Sequence, residues 1–186
     1  MISYKRSINQ LSISKLKIDD EIISSAKGLN RVCAINILSK VNNPSTDNAA
    51  FDGFAINSKD TKNLNDKKRL FRIIGVVAAG DKPFKKKIKK YQAIEIMTGA
   101  AIPKGFDTII PIEEIVFHPN RNKPSSILIN RKIKKFQYIR FKGSDYKKNE
   151  LIISKGTILR PNHILALKTL GIKKIKVKKI PNILFF

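Results

Sequence analysis

Two carboxylates in TDNAAFDGFAI, residues 46–56, are the side chains of this sequence best suited to chemistry: Asp47, and Asp52 followed by Gly53. Acids are scarce, 14 Asp plus Glu against 38 Lys plus Arg, so two acids in one short segment that also carries Gly53 and two Phe residues are conspicuous on a +24 background. Asp52-Gly53 reads first as a tight hairpin turn, since Gly tolerates positive φ and Asp bonds to local backbone. It reads second as a ligand site, where Gly53 admits a close approach and Asp52 binds magnesium, orients water or meets a counter-ion.

Two further segments carry related residue types. In IEIMTGAAIPKGFDTIIPIEE, residues 94–114, Thr98-Gly99-Ala100 joins two strand-like runs through a loop small enough for its amides to face an anion, or one that is purely structural. In YIRFKGSDY, residues 138–146, Arg140 and Lys142 precede Gly143 and Asp145. A cation and an acid around a bend suit phosphate plus magnesium, and equally suit a surface salt bridge. His118 and His163 lack any ligand spacing for a metal. No Walker loop, dinucleotide fingerprint, helix-turn-helix or serine elbow is present.

Composition bounds the setting. The 42% hydrophobic content is enough to bury real cores. The positive charge admits an anionic partner, although Lys is scattered over every segment and a joint Lys, Ile and Asn bias would also follow from AT-rich coding. The one cysteine, Cys33, lies in the apolar run VCAINIL and reads as a buried structural thiol, which fits a reducing, cytoplasmic setting. No apolar run reaches a membrane span, so a soluble protein with no membrane partner is expected.

These groups need elements to position them. Tyr4, Ile8, Leu11 and Leu16 predict an amphipathic helix within residues 3–17, and Ser24 to Leu29 predicts a short second one capped by Ser24 or Ser25 and ended by Gly28. After Pro44 the runs FRIIGVV, AIEIMTG, TIIPIEEIVF, SSILINRKI and QYIRF predict a β-rich unit, punctuated at Gly80-Asp81, Gly99, Pro103 to Gly105, Pro119-Asn120 and Gly143. ELIISKGTIL then predicts a hairpin. Pro161 to Leu170 predicts a helix opened by Pro and closed at Gly171, with Ile164, Leu165, Leu167 and Leu170 on one face. Ile175 and Val177 alternate with Lys as a strand.

Taken together and in order, the segments resemble the N-terminal half of the molybdopterin molybdenumtransferase family. DNAAFDGFAI resembles its D-x-S-A-M-D-G-Y-A motif, VVAAGD its alanine-glycine strand end, IMTGAAIPKGFDTIIPIEE its I-M-T-G-A-P loop, and IRFKGSD its R-x-x-G-E-D. Phe51 stands at the usual Met, Phe54 at the Tyr, Ala49 or Ala50 at the Ser, and Ser144 at the Glu before Asp145.

The resemblance implies an α+β architecture: an elongated split domain, 1–45 and 142–180, with an inserted β-rich, barrel-like domain, 46–141. A pterin-binding α/β domain would begin at 181–186 and be truncated at its first strand. It implies insertion of molybdenum from molybdate into adenylated molybdopterin, with magnesium as cofactor, in a cytoplasmic homodimer. Asp52, Thr98 and Asp145 would be catalytic, Arg140, Gly53 and Gly99 substrate-binding, and Asp52 with Asp145 metal-binding. The piece alone is expected to be inactive. The rival reading is a basic nucleic-acid-binding or scaffold module in which the acidic motifs merely form turns; nucleic acid is the less expected partner.

Overall fold

The computed structural model describes residues 2–13, 17–64 and 67–184. Its elements are α1 (Tyr4–Ile13), β1 (Asp20–Ser24), β2 (Ile37–Leu38), β3 (Asn48–Ala49), β4 (Gly53–Ile56), β5 (Arg69–Val77), β6 (Gln92–Ile96), β7 (Thr108–Pro111), β8 (Val116–His118), β9 (Ser126–Ile129), β10 (Ile139–Arg140), β11 (Leu151–Ile153), α2 (Pro161–Thr169) and β12 (Lys174–Lys178). They divide into two compact units, one made of the chain up to Lys40 and from Lys148 on, the other of Val41–Lys147. The class is α+β: a split unit with a β-rich insert built on a curled half-barrel sheet.

In the split unit, β1 pairs antiparallel with β12 and β2 with β11. Cys33, Ile37, Ile153, Leu159, Leu167, Ile175 and Val177 make its core, so the Lys/apolar alternation of β12 turns its apolar edge inward. Helix α2 begins with Pro161, whose missing N–H would have no intrahelical partner, and stops before Gly171 at φ 69°. His163 Nδ1 accepts the Arg160 N–H at 3.0 Å, a structural role for a histidine that the sequence leaves unassigned.

The insert holds the six-stranded sheet in the order β7-β4-β6-β5-β9-β8. All its pairs are antiparallel except β5 with β6. Side chains alternate between two cores: Phe54, Ile56, Phe71, Ala93, Ile110 and Ile127 pack on one face, and Ala55, Val77, Ile94, Ile96 and Ile109 on the other. Both faces are covered, so β4 and β7 are buried along their whole length.

Several expectations change. Asp52-Gly53 does not turn a hairpin: β3 and β4 flank it, but β3 pairs with β10, and β4 with β6 and β7. ELIISKGTIL is not a hairpin either, because β11 pairs with β2 while Ile158 bridges to Val32. The helix expected from Ser24 shrinks to one 3₁₀ turn, Ser25–Lys27, since Ser24 is held in β1 opposite Lys174 and its side chain caps nothing. TIIPIEEIVF breaks after Pro111 into a 3₁₀ turn, Ile112–Glu114. Leu165 is 68% exposed and leaves the α2 core face to Leu167 and Leu170. Helix α1 forms but buries none of its residues, and Leu16 lies outside the described residues.

Candidate functional site

One end of the insert's sheet gathers the first two sequence motifs. The parallel pair β5 and β6 end side by side, with the Met97 N–H donating to Val77 O at 3.0 Å, so the loops after them, Ala78–Asp81 and Thr98–Ala100, leave from the same edge. Strand β4 starts there too, Gly53 lying opposite Ile96 and Pro111. Asp52 therefore arrives beside Thr98 from the opposite chain direction.

Thr98 donates to the Asp52 carboxylate twice, both times to Oδ1: from its backbone N–H at 2.6 Å and from its hydroxyl at 2.7 Å. The amide first and the hydroxyl second hold the Asp52 carboxyl below its ordinary value, against a smaller opposing push from desolvation. Both bonds use one oxygen, which leaves Oδ2 for a ligand. Asp52 and Thr98 are exposed, so this is an anionic acceptor kept ionised at a surface the solvent reaches.

The surrounding backbone is stitched tightly. Gly99 N–H donates to Ala49 O, Ala49 N–H to Ala100 O and Ile102 N–H to Asp47 O, each at 2.9 Å, and Ile112 N–H donates to Asp52 O at 3.0 Å. Gly99 takes φ 82°, a conformation that favours glycine. Gly53 is glycine for another reason: a Cβ there would lie 2.0 Å from the Ile110 carbonyl oxygen. Its role is close strand approach rather than a turn. The Ala78–Asp81 loop is closed by Asp81 Oδ2, which accepts the Ala78 N–H at 2.7 Å, and a Cβ on Gly99 would meet Ala79 Cβ at 3.7 Å. The chemistry of its residues alone does not mark this loop as part of the site; its signal in the sequence is Ala79-Gly80-Asp81 ending a strand parallel to β6.

The third motif is assembled within the same unit on the start of the first, at Asp47 and Asn48. Arg140 forms an ion pair with Asp145 through Oδ2, which also accepts from Asn43 Nδ2 at 3.2 Å. The Asp145 N–H donates to Asn43 O at 3.0 Å, while Asp47 Oδ1 accepts the Lys142 N–H at 2.8 Å. Arg140 lies opposite Asn48 in the β3–β10 pair, so the antiparallel register carries Asp145 toward Asn43. Asp52 and Asp145 are thus held by separate sets of partners. Among the described residues no group of three or more His, Cys, Asp or Glu could hold a metal ion. A cation here would rest on one carboxylate, with water and a ligand's own oxygens completing its shell, a donor set that magnesium accepts alongside phosphate.

Comparison with known proteins identifies this layout. The MoeA N-terminal region (domain I and II) matches residues 2–171. The chain belongs to the MoeA N-terminal region family. A molybdopterin molybdenumtransferase of Staphylococcus aureus is 28% identical over 98% of the chain, and one of Haemophilus influenzae is 33% identical over 84% of it. A crystal structure of a molybdopterin biosynthesis moeA protein from Pyrococcus horikoshii superposes with a TM-score of 0.77 at 35% identity, covering 86% of this chain. A second P. horikoshii structure gives 0.81 over 95% at 29% identity. The chain spans 42% and 36% of the two enzymes and 41% and 44% of the two structures. The MoeA N-terminal match runs through every motif quoted above, so the ordered resemblance read from the residues is a family relationship. Among the described residues no helix is long and apolar enough to cross a membrane.

Proposed function

We propose that this chain supplies the Asp52 wall of a molybdopterin molybdenumtransferase site, where molybdenum passes from molybdate to adenylated molybdopterin in molybdenum cofactor synthesis. The observation that carries the reading is the double Thr98 bond to Asp52 Oδ1, which keeps the carboxylate charged and its second oxygen available. In this reading Asp52 is the catalytic carboxylate and Thr98 fixes its rotamer and ionisation. Gly99, exposed at φ 82°, lets the substrate approach the backbone, while Gly53 seats β4 against β7 and so fixes where Asp52 emerges. Arg140 meets anionic substrate oxygens, with Asp145 setting the direction of the guanidinium. Magnesium, when bound, would neutralise phosphate charge at Asp52 Oδ2; Asp145, already committed to Arg140 and Asn43, is the weaker candidate ligand. The chain acts with the remaining part of such an enzyme and not alone, in a cytoplasmic homodimer.

The test is a chimera in which this chain replaces the matching N-terminal region of the S. aureus enzyme, expressed in a cell lacking insertase. Restored molybdoenzyme activity is expected, and Asp52→Asn, which keeps the shape and the Oδ1 acceptor, should lower it roughly a hundredfold or more. Undiminished activity in the Asp52→Asn chimera would overturn the assignment.

A further inference from the structure

Segment 135–141 presents aromatic rings in a backbone that does not suit them. Phe136 has φ 67° and Tyr138 φ 56°, left-handed conformations that Gly or Asn adopts with less strain than a bulky side chain. Three hydrogen bonds hold the turn in place: Phe136 N–H to Asp107 O at 2.8 Å, Ile109 N–H to Gln137 O at 3.1 Å and Ala50 N–H to Tyr138 O at 3.0 Å. Burial accounts for Tyr138, which is half-buried against the second core of the insert, but not for Phe136. Phe136 and Phe141 are 49% and 43% exposed and meet edge to face, centroids 5.4 Å apart; Phe51, also 49% exposed, meets Tyr138 in the same way at 5.1 Å. The Lys135 ammonium sits 4.3 Å from the Phe136 ring centre.

Strained backbone retained under exposed rings points to a role for the rings themselves. Stretch 131–142 contains no acid, and Arg131 and Arg140 are the residues in it that form ion pairs with acids elsewhere among the described residues. The strip therefore offers π faces next to ammonium groups, the combination that takes a planar aromatic ring and an adjoining phosphate together.

We propose that Phe136 and Phe141, with Lys135 beside them, form a binding site for a nucleobase that carries phosphate, the base stacking on the exposed rings and the ammonium moving to the phosphate. The inference stands apart from the molybdenum reading: a chain that stacks a nucleotide yet fails in the chimera refutes only the latter.

The probe is AMP, titrated against this chain by NMR, with ribose 5-phosphate as the ligand lacking a base. AMP should bind at least about fivefold more tightly than ribose 5-phosphate, since one stacked base contributes that much. Phe136→Gly should melt at the same or a higher temperature, because Gly relieves the left-handed strain, yet bind AMP about fivefold more weakly or worse, with ribose 5-phosphate unaffected. A pentamer of adenylate distinguishes two sources of the same chemistry: a strand-binding site holds it more tightly than AMP with a steep salt dependence, a mononucleotide site holds both alike. Equal binding of AMP and ribose 5-phosphate would mean that charge alone is at work and would overturn the proposal, as would full AMP affinity in Phe136→Gly. Should that variant melt early, Phe141→Leu decides by the same comparison.

Discussion

Replacing Gly53 by alanine should damage the insert far more than the added methyl group suggests. The new Cβ would stand 2.0 Å from the Ile110 oxygen, 2.9 Å from the Ile110 carbonyl carbon and 3.0 Å from Pro111 Cα, all backbone atoms of the adjacent strand β7. A flexible side chain could swing away, but a strand paired over Thr108–Pro111 and buried on both faces cannot. Reaching ordinary contact requires β4 and β7 to separate by more than about one ångström, which breaks ladder hydrogen bonds and opens two cores. Overpacking alone costs roughly 1–3 kcal/mol, and the exposed ladder groups bring the total to at least about 3 kcal/mol. For a unit of this size, that lowers Tm by roughly 12–24 °C. Gly80→Ala is the matched reference in the same unit: φ is 88° there and no atom lies within 4 Å of the new Cβ, so only left-handed strain of about 1–2 kcal/mol applies. Circular dichroism melts and urea titrations of the two variants give the comparison. A Gly53→Ala protein no less stable than Gly80→Ala would refute the reasoning that close strand approach selects this glycine.

Thr98→Val removes the hydroxyl bond to Asp52 and keeps the amide bond, so the Asp52 carboxyl should titrate higher than in the parent chain, read from its ¹³C resonance. The sign for stability follows: Asp52 is depressed in the folded chain, as is Asp20 by its Lys178 and Lys176 neighbours, so their contribution is complete above the unfolded carboxyl range and fades as pH falls through the folded values. Thr98→Val should lessen the part of that acid loss belonging to Asp52. In the split unit, Leu167→Ala should cost about 2–5 kcal/mol by denaturant titration because Leu167 is wholly buried, whereas Leu165→Ala should stay within about 0.5 kcal/mol.

Local signals carried the reading where one stretch of chain decides its own shape. Pro161 and Gly171 bracket α2, and the alternating lysines of 174–178 mark β12, because caps and period-two patterns act over a few residues. Asp52-Gly53 was misleading for the opposite reason. Its glycine answers to the Ile110 carbonyl, 57 positions downstream, and nothing within the segment distinguishes that from a turn. The same holds for ELIISKGTIL, whose strands have partners in 32–38 that outcompete each other's company. Of the site, Asp52 and Thr98 are legible as residue types, but their hydrogen bonds depend on β4 pairing antiparallel with β6, Gly53 opposite Ile96, a long-range choice. Tyr138 reads as an ordinary strand aromatic of QYIRF and Phe136 falls between two runs; only the backbone angles single them out.

The points where the chain leaves the split unit and comes back have a consequence for how that unit can form. Ser39 N–H bonds to Glu150 O and Asn149 N–H to Ser39 O, while within the insert Asn43 and Tyr146 exchange hydrogen bonds in both directions. More than a hundred residues are thereby looped out between neighbouring strands. Closing such a loop from a disordered chain costs roughly 2–3 kcal/mol more than closing a short one. Once the insert has folded, its paired ends behave as a brief connection, and β2 meets β11 as though they were neighbours in sequence. The insert then serves its host as an assembly aid, so a lesion confined to it, Gly53→Ala among them, should slow the maturation of strands that belong to the split unit.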